Sequence, residues 1–275
     1  MIGICTDSNS QLPAVLIARY GIEVVPLTVT VDDVEYLEGV DLDADAFYAH
    51  HANGHTPVVT TSQPSPGQFA VAYDDLAARG CTEILSIHVA AAVSGTINAA
   101  RLGAHSVPTN VKLVDSGTAS FGVSCCVWAA AEAIARGATL EQAALVAEQL
   151  APSIGNVFVV GALDHLRDGG RGGDLTVVDG GLPILTLRNG TVEVLERLAT
   201  PLDAVNSMAA HVIGWGERLR AAVGHSDAAT EVIADALEAA IGEAASVIDV
   251  VRYRVGPSVG AHTGLGTVGC FMFPA

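Results

Sequence analysis

The chain has 275 residues, long for one hydrophobic core and sufficient for two domains. Half of its residues are hydrophobic but only 5% are aromatic, so the interior has to be built from Ala, Val, Leu and Ile, with Gly at close approaches. Thirty carboxylates against 13 Lys and Arg give a net charge of −17, which disfavours nucleic acid and anionic membrane surfaces as partners. A small anionic ligand stays open to a local cluster of N–H and OH groups.

Residues 2–5 predict a first short strand, ending in the polar loop Thr6-Asp7-Ser8-Asn9-Ser10 ahead of a helix over 12–20. Asp7, at the carboxyl end of a strand, suits a helix cap or a ligand contact. Residues 23–31 read as a second strand, with Pro26 marking an edge or a bend, and 42–51 as a short amphipathic helix. His50, His51 and His55 at its end have no carboxylate or cysteine at ligand spacing, so no metal site is expected there. Ser65, Pro66 and Gln68 combine an N-cap, a proline at the first helical position and a capping-box partner. They predict a helix over 66–79 and leave Thr61 and Ser62 outside it, in an extended loop.

Residues 84–89 suit a buried parallel strand that feeds a helix just after Ser94-Gly95-Thr96. Small and hydroxyl residues at such a corner place N–H and OH groups at the carboxyl end of a sheet, where an anion is held well, although the same residues also serve as a plain cap. A strand over 111–114, an Ala-rich buried helix over 119–135 and a helix opened by the Thr139/Gln142 capping box complete the alternation. Residues 1–153 are therefore expected to form an α/β/α domain with a mostly parallel sheet.

The rhythm changes after Pro152. A strand over 156–160, a turn of helix over 162–167 and a glycine-rich bend over 168–173 come first. Strands over 183–187 and 192–195 follow, joined by the hairpin signal Asn189-Gly190. Thr200-Pro201 opens a helix to about residue 219, and another helix covers 229–240. Late strands over 247–251 and 268–273 flank a glycine-rich loop over 256–266. Residues 154–275 are expected to be an α+β domain with a mixed sheet.

Dinucleotide, P-loop, zinc-protease and GxSxG motifs are absent. The five cysteines form no CxxC and no zinc spacing, and read as small core residues of a reducing compartment. With no apolar run of ~18 residues and no signal-like start, a cytoplasmic location is expected. What remains are three hydroxyl groupings: Thr61-Ser62, Ser94-Gly95-Thr96 and His262-Thr263-Gly264. Together they suit a grip on a carboxylate beside an aliphatic slot; apart they are turn and cap hydroxyls, and spacing does not choose between the two. Ser94 with His88 or His262 would alternatively be the nucleophile and base of an acyl or carbonyl enzyme. His88, inside an apolar strand, better fits a hydrogen-bonded core histidine.

Thr6-Asp7-Ser8, Val25-Pro26-Leu27, the TSQPSPG block at 61–67, Ser86-Ile87-His88 with Ser94-Gly95-Thr96, Val114-Asp115-Ser116, residues 166–171, Pro183-Ile184-Leu185 and residues 256–266 occur in an order that resembles the DegV family of fatty-acid-binding proteins. The resemblance covers nearly the whole chain. It implies a two-domain protein, neither an enzyme nor cofactor-dependent, that holds a long-chain fatty acid in a tunnel between its domains. The carboxylate contacts it implies fall on Thr61, Ser62, Ser94, His262 and Thr263. A partner is implied as well, a fatty acid kinase that turns the presented carboxylate into an acyl phosphate, with Arg171 and Arg197 as docking candidates. Ala90-Ala91-Ala92-Val93 stands where the family usually has polar and basic residues, and Leu265 stands in place of a usual proline.

Overall fold

Capping chemistry sets several helix starts in a computed structural model that describes residues 1–161, 181–188 and 191–275. The helical turn and glycine bend expected over 162–173, Arg171 and the Asn189-Gly190 turn lie outside these residues. The first part of the chain runs β1 (Ile2–Asp7), α1 (Ala14–Tyr20), β2 (Glu23–Val25), β3 (Thr28–Val31), β4 (Val34–Leu37), α2 (Ala44–Ala49), β5 (Val59–Ser62), α3 (Pro66–Ala78), β6 (Glu83–His88), α4 (Thr96–Ala104), β7 (Asn110–Asp115), α5 (Phe121–Ala135) and α6 (Leu140–Leu150). It continues with β8 (Gly155–Val159), β9 (Leu182–Arg188), β10 (Thr191–Leu198), α7 (Pro201–Ile213), β11 (Leu219–His225), α8 (Ala228–Gly242), β12 (Val247–Arg254), α9 (Pro257–Thr263) and β13 (Val268–Pro274). The capping boxes at Ser65/Gln68 and Thr139/Gln142 are both formed.

The chain divides into two compact units, Met1–Leu42 with Val58–Pro152, and Asp43–Pro57 with Ser153–Ala275. A split of 1–153 from 154–275 therefore needs one correction: residues 43–57 belong with the second unit. The physical reason is burial and bonding. Phe47 is fully buried, the Tyr48 hydroxyl donates to the Val255 carbonyl oxygen at 3.0 Å, and Asp45 pairs with Arg254 at 2.7 Å.

In the first unit a four-stranded, wholly parallel sheet has the order β2-β1-β6-β7. Helices α3 and α4 cover one face, over Cys5, Val25 and Ile84, and α5 and α6 pack against β1, β6 and β7 from the other. With both faces covered, the strands read as continuous apolar runs, as parallel strands do. The expected single strand over 23–31 is broken at Pro26, which has no N–H to donate to a ladder. Its first part, β2, joins β1, whereas β3 starts an antiparallel sheet of order β4-β3-β5. Thr61 and Ser62 thus lie in a strand, not in a loop.

The second unit is built on a six-stranded mixed sheet, β10-β9-β8-β13-β11-β12, in which only β11 and β12 run parallel. Its core packs α7 and α8 on Val157, Val159, Ile184, Val223, Cys270 and Met272. The helix expected to reach residue 219 stops at Ile213, where Gly214 caps it. Leu219–His225 is instead a buried strand between β13 and β12. Residues 257–263, expected within a loop, form α9 with Pro257 at its start. All five cysteines are buried and none is in a disulfide, and burial pushes the Cys126 and Cys270 thiols up to about 12, so they act as packing groups. No helix among the described residues is long and apolar enough to cross a membrane.

Helices α3 and α4 meet at Gly103, where a Cβ would stand 2.7 Å from both the Phe69 Cβ and the Pro66 carbonyl oxygen. Since backbone lies on one side of that contact, there is little room to yield. Gly103→Ala should cost about 1–3 kcal/mol of stability, the ordinary penalty for overpacking, read as a lower urea midpoint.

Candidate functional site

In the first unit the chain passes from β1 to β2 on one side and returns to place β6 on the other. Ligands in open parallel sheets bind outside the carboxyl ends of the strands at such a reversal. Here those ends are tied by a buried polar chain. Asp7 Oδ2 accepts from His88 Nδ1–H at 2.9 Å and from Val89 N–H at 3.1 Å, and Asp7 Oδ1 accepts from Asn9 N–H at 3.1 Å. His88 Nε2 lies 2.7 Å from Ser86 Oγ, which lies 2.9 Å from the Tyr73 hydroxyl. Asp7, Ser86, His88 and Tyr73 are all 0% exposed. His88 is therefore the hydrogen-bonded core histidine that its strand position suggests, with both ring nitrogens engaged.

The segment leaving β6 is pinned a second time by Asp115, at the end of β7. Its carboxylate accepts from Ala91 N–H at 3.2 Å and from Gly117 N–H at 2.9 Å. Ala90 N–H also donates to Thr118 O at 2.8 Å. The chain then turns through Ala91-Ala92-Val93 and delivers Ser94-Gly95-Thr96 to the start of α4. The helix cap is Gly95, with no side-chain cap bond. Ser94 Oγ instead shares a 2.8 Å hydrogen bond with Thr96 Oγ1 and accepts from Thr96 N–H at 3.3 Å. Ser94 and Gly95 are half-buried and Thr96 buried.

Two motifs far apart in sequence meet at this corner. A Cβ on Gly95 would run into the side-chain amide of Gln63, so the residue after Thr61-Ser62 lies directly on the Ser94-Gly95 turn. Adjacent strand residues point to opposite faces. Thr61 pairs across with the fully buried Val29, on the covered face, whereas exposed Ser62 pairs with Thr28 on the other. Thr61 and Ser62 therefore do not present their hydroxyls side by side.

His262 and Thr263 lie in the second unit, in the last turn of α9. His262 is half-buried; Thr263 is buried, and its hydroxyl donates back to Val259 O at 3.3 Å while its oxygen can still accept. The following loop is held by Asp227, the N-cap of α8. Asp227 Oδ2 accepts from Gly266 N–H at 2.7 Å and from the Ser226 hydroxyl at 2.6 Å, and Oδ1 accepts from Ala229 N–H at 2.9 Å. Ser226 also accepts from Thr267 N–H at 2.9 Å. Nearby, His225 Nδ1 accepts from Arg252 at 3.2 Å. Burial, then the charges of Arg254 and Arg252, push the His225 pKa down, which agrees with a ring nitrogen that accepts. Asp227 and Gln63 were not legible as site-supporting residues, because the strand that ends before Asp227 went unread and Gln63 meets Gly95 only in the folded chain. Arg197 lies half-buried on β10, opposite Pro183 of β9.

The fold and the corner define a two-unit α/β protein with a pair of small hydroxyls at a parallel-sheet switch point. The model of the DegV family, described as an uncharacterised protein family, matches residues 1–275. A DegV domain-containing protein of Streptomyces coelicolor is 36% identical over 277 residues, 98% of this chain and 96% of its own. Among solved structures, a fatty-acid-binding DegV family protein from Thermus thermophilus superposes with a TM-score of 0.86 at 31% identity, covering 100% of this chain and 99% of that one. DegV of Bacillus subtilis, a fatty acid binding protein, gives a TM-score of 0.83 at 26% identity with the same coverage. The chain belongs to the DegV family.

Asp227 provides a pH test of the second loop. Burial by itself would raise its pKa, but hydrogen bonds from Gly266, Ser226, Ala229 and Thr230 outweigh it and hold the carboxyl below its ordinary 3.8. A lowered native pKa means that the unfolded chain binds the proton more readily. Its stabilising contribution is complete above about pH 4 and is lost as the pH falls through the lowered value. Asp227→Asn should flatten the acid limb of stability against pH in that window, measured by urea unfolding at closely spaced pH values.

Proposed function

We propose that this chain is a non-catalytic carrier of a long-chain fatty acid. In this reading Thr61 and Ser94 of the first unit, with His262 and Thr263 of the second, hold the carboxylate, Thr263 turning its hydroxyl from Val259 O to the ligand, and an aliphatic tunnel takes the tail. The observation that carries it is the Ser94–Thr96 hydroxyl pair at the switch point, with Gln63, two residues after Thr61, lying on the adjoining Gly95. Neutral donors are what an anion needs in a protein of net charge −17. Solved relatives that are described as fatty-acid-binding support the ligand class.

Carrying rather than catalysis is supported by the partners of Ser94. Its hydroxyl bonds Thr96, and His88, the nearest sequence candidate for a base, gives its two nitrogens to Asp7 and Ser86. A nucleophile needs a base within hydrogen-bond reach. From β5, Thr61 rather than Ser62 is the proposed contact, since it faces inward. Gly95 contributes the space taken by Gln63, and Thr96 orients Ser94. The rim Ala90-Ala91-Ala92-Val93 adds apolar surface near the head group. Each buried methylene contributes about 0.8 kcal/mol, so the tail dominates affinity and the hydroxyls fix direction.

Native mass spectrometry of the purified protein should find a bound acyl chain. Ser94→Ala should weaken fatty-acid binding by about 1 kcal/mol or more, because the carboxylate loses a donor it cannot replace in a buried site. The losses from Ser94→Ala and Thr263→Ala should be non-additive if one head group joins them. Protein that stays lipid-free and ignores added fatty acid would overturn the reading.

Presentation of the acid to a fatty acid kinase is the further step of the proposal, with Arg171 and Arg197 as docking residues. Arg197→Glu should abolish kinase-dependent acyl phosphate formation while lipid binding persists. Unchanged phosphorylation would remove Arg197 from that role.

A further inference from the structure

The segment Asp43–Pro57 is borrowed from early in the chain to complete the second unit, and it docks where α9 begins. The Tyr48 hydroxyl donates to the Val255 carbonyl oxygen at 3.0 Å, two residues ahead of α9. On α9 itself, a Cβ at Gly260 would stand 2.6 Å from the Tyr48 hydroxyl oxygen and 2.8 Å from the Phe47 ring. The middle of the helix thus rests on these two side chains with no intervening group. The rings support each other edge to face, with centroids 5.0 Å apart, and Phe47 packs against the His51 ring at 5.5 Å. The Asp45–Arg254 pair adds a third tie at 2.7 Å.

A seven-residue helix has little stability of its own. Within α9, Gly260 N–H donates to Gly256 O and Gly264 N–H to Gly260 O, each at 2.8 Å. Those bonds fix the helix internally but not its tilt or rotation, which are set by what it lies on. Its last turn carries His262 and Thr263. We infer that Tyr48 is a positioning residue for the bound carboxylate: by holding Val255 and seating Gly260 it fixes α9, and with it the direction of His262 and Thr263. The inference rests on the head-group reading above and adds a residue that touches no ligand.

Tyr48→Phe keeps the ring and removes the hydroxyl. Oleate affinity should fall by about threefold to tenfold and release should speed up, and the urea midpoint should fall as well, since the Val255 carbonyl loses its buried donor. The loss should shrink in a Thr263→Ala background and, like that of Thr263→Ala itself, be non-additive with Ser94→Ala. Gly260→Ala should weaken binding on its own, and adding Tyr48→Phe to it should restore part of the affinity, since the nearest clashing atom is gone. Without any lipid, hydrogen exchange at the Gly264 amide should accelerate in Tyr48→Phe, while amides of β11 keep their protection. Wild-type-like oleate affinity and Gly264 protection in Tyr48→Phe, with Ser94→Ala still weakened, would overturn the role of Tyr48 and leave the carrier reading standing. A wild-type protein that binds no fatty acid would instead remove the reading on which this role rests.

Discussion

Buried at the end of β1, the Asp7 carboxylate accepts from His88, from Val89 N–H and from Asn9 N–H. A carboxylate is tolerated in so dry a place only when its lone pairs are filled, so the groups that fill them are held in position. That requirement joins the ends of two neighbouring strands and fixes the point from which the 90–94 turn departs. Thr6 adds to the junction by donating its hydroxyl to Ile87 O at 2.8 Å. The position of Ser94 follows from these constraints and from Asp115, which binds the turn one residue further on.

The second unit uses the same device. Asp227 joins a strand end, the first turn of α8 and the loop after α9. In both units an acidic side chain is spent on backbone N–H groups beside a candidate contact rather than on the contact itself. This resolves an apparent conflict between a strongly anionic chain and a site for an anion. Asp7, Asp115 and Asp227 have their oxygens occupied by N–H and OH donors, which spread the charge, and leave neutral hydroxyls for the proposed ligand.

Much of this architecture was legible because local chemistry and global fold agree. The capping boxes fixed the starts of α3 and α6, and the apolar run at β6 followed by Ser94-Gly95-Thr96 pointed to the corner where the hydroxyls gather. Where the sequence misled, a tertiary contact overrode a local pattern. Leu219–His225 contains Ala-Ala and no alternation, so nothing in its pattern announces a strand; burial on both faces makes it one. Asn156 uses its side-chain amide to bond the backbone of Leu187, at 2.9 and 2.7 Å, where β8 and β9 share a single register pair. No spacing rule announces that substitution. Gln63 over Gly95 and Tyr48 under α9 were equally silent, because each depends on a partner far away along the chain.

The placement of Asp43–Pro57 also bears on how the molecule is made. Neither unit is a continuous piece of polypeptide, and the covalent path crosses between them three times, near residues 42, 57 and 152. During synthesis Phe47 and Tyr48 emerge more than a hundred residues before Val255 and Gly260, and must wait uncovered for the surface they will occupy. An expression fragment ending at Pro152 would carry that orphaned aromatic pair, and one starting at Ser153 would lack the seat of α9. Dissecting the gene at the apparent linker would therefore yield a first unit burdened with a stray segment and a second unit missing one, and full-length translation is a condition of finishing the second.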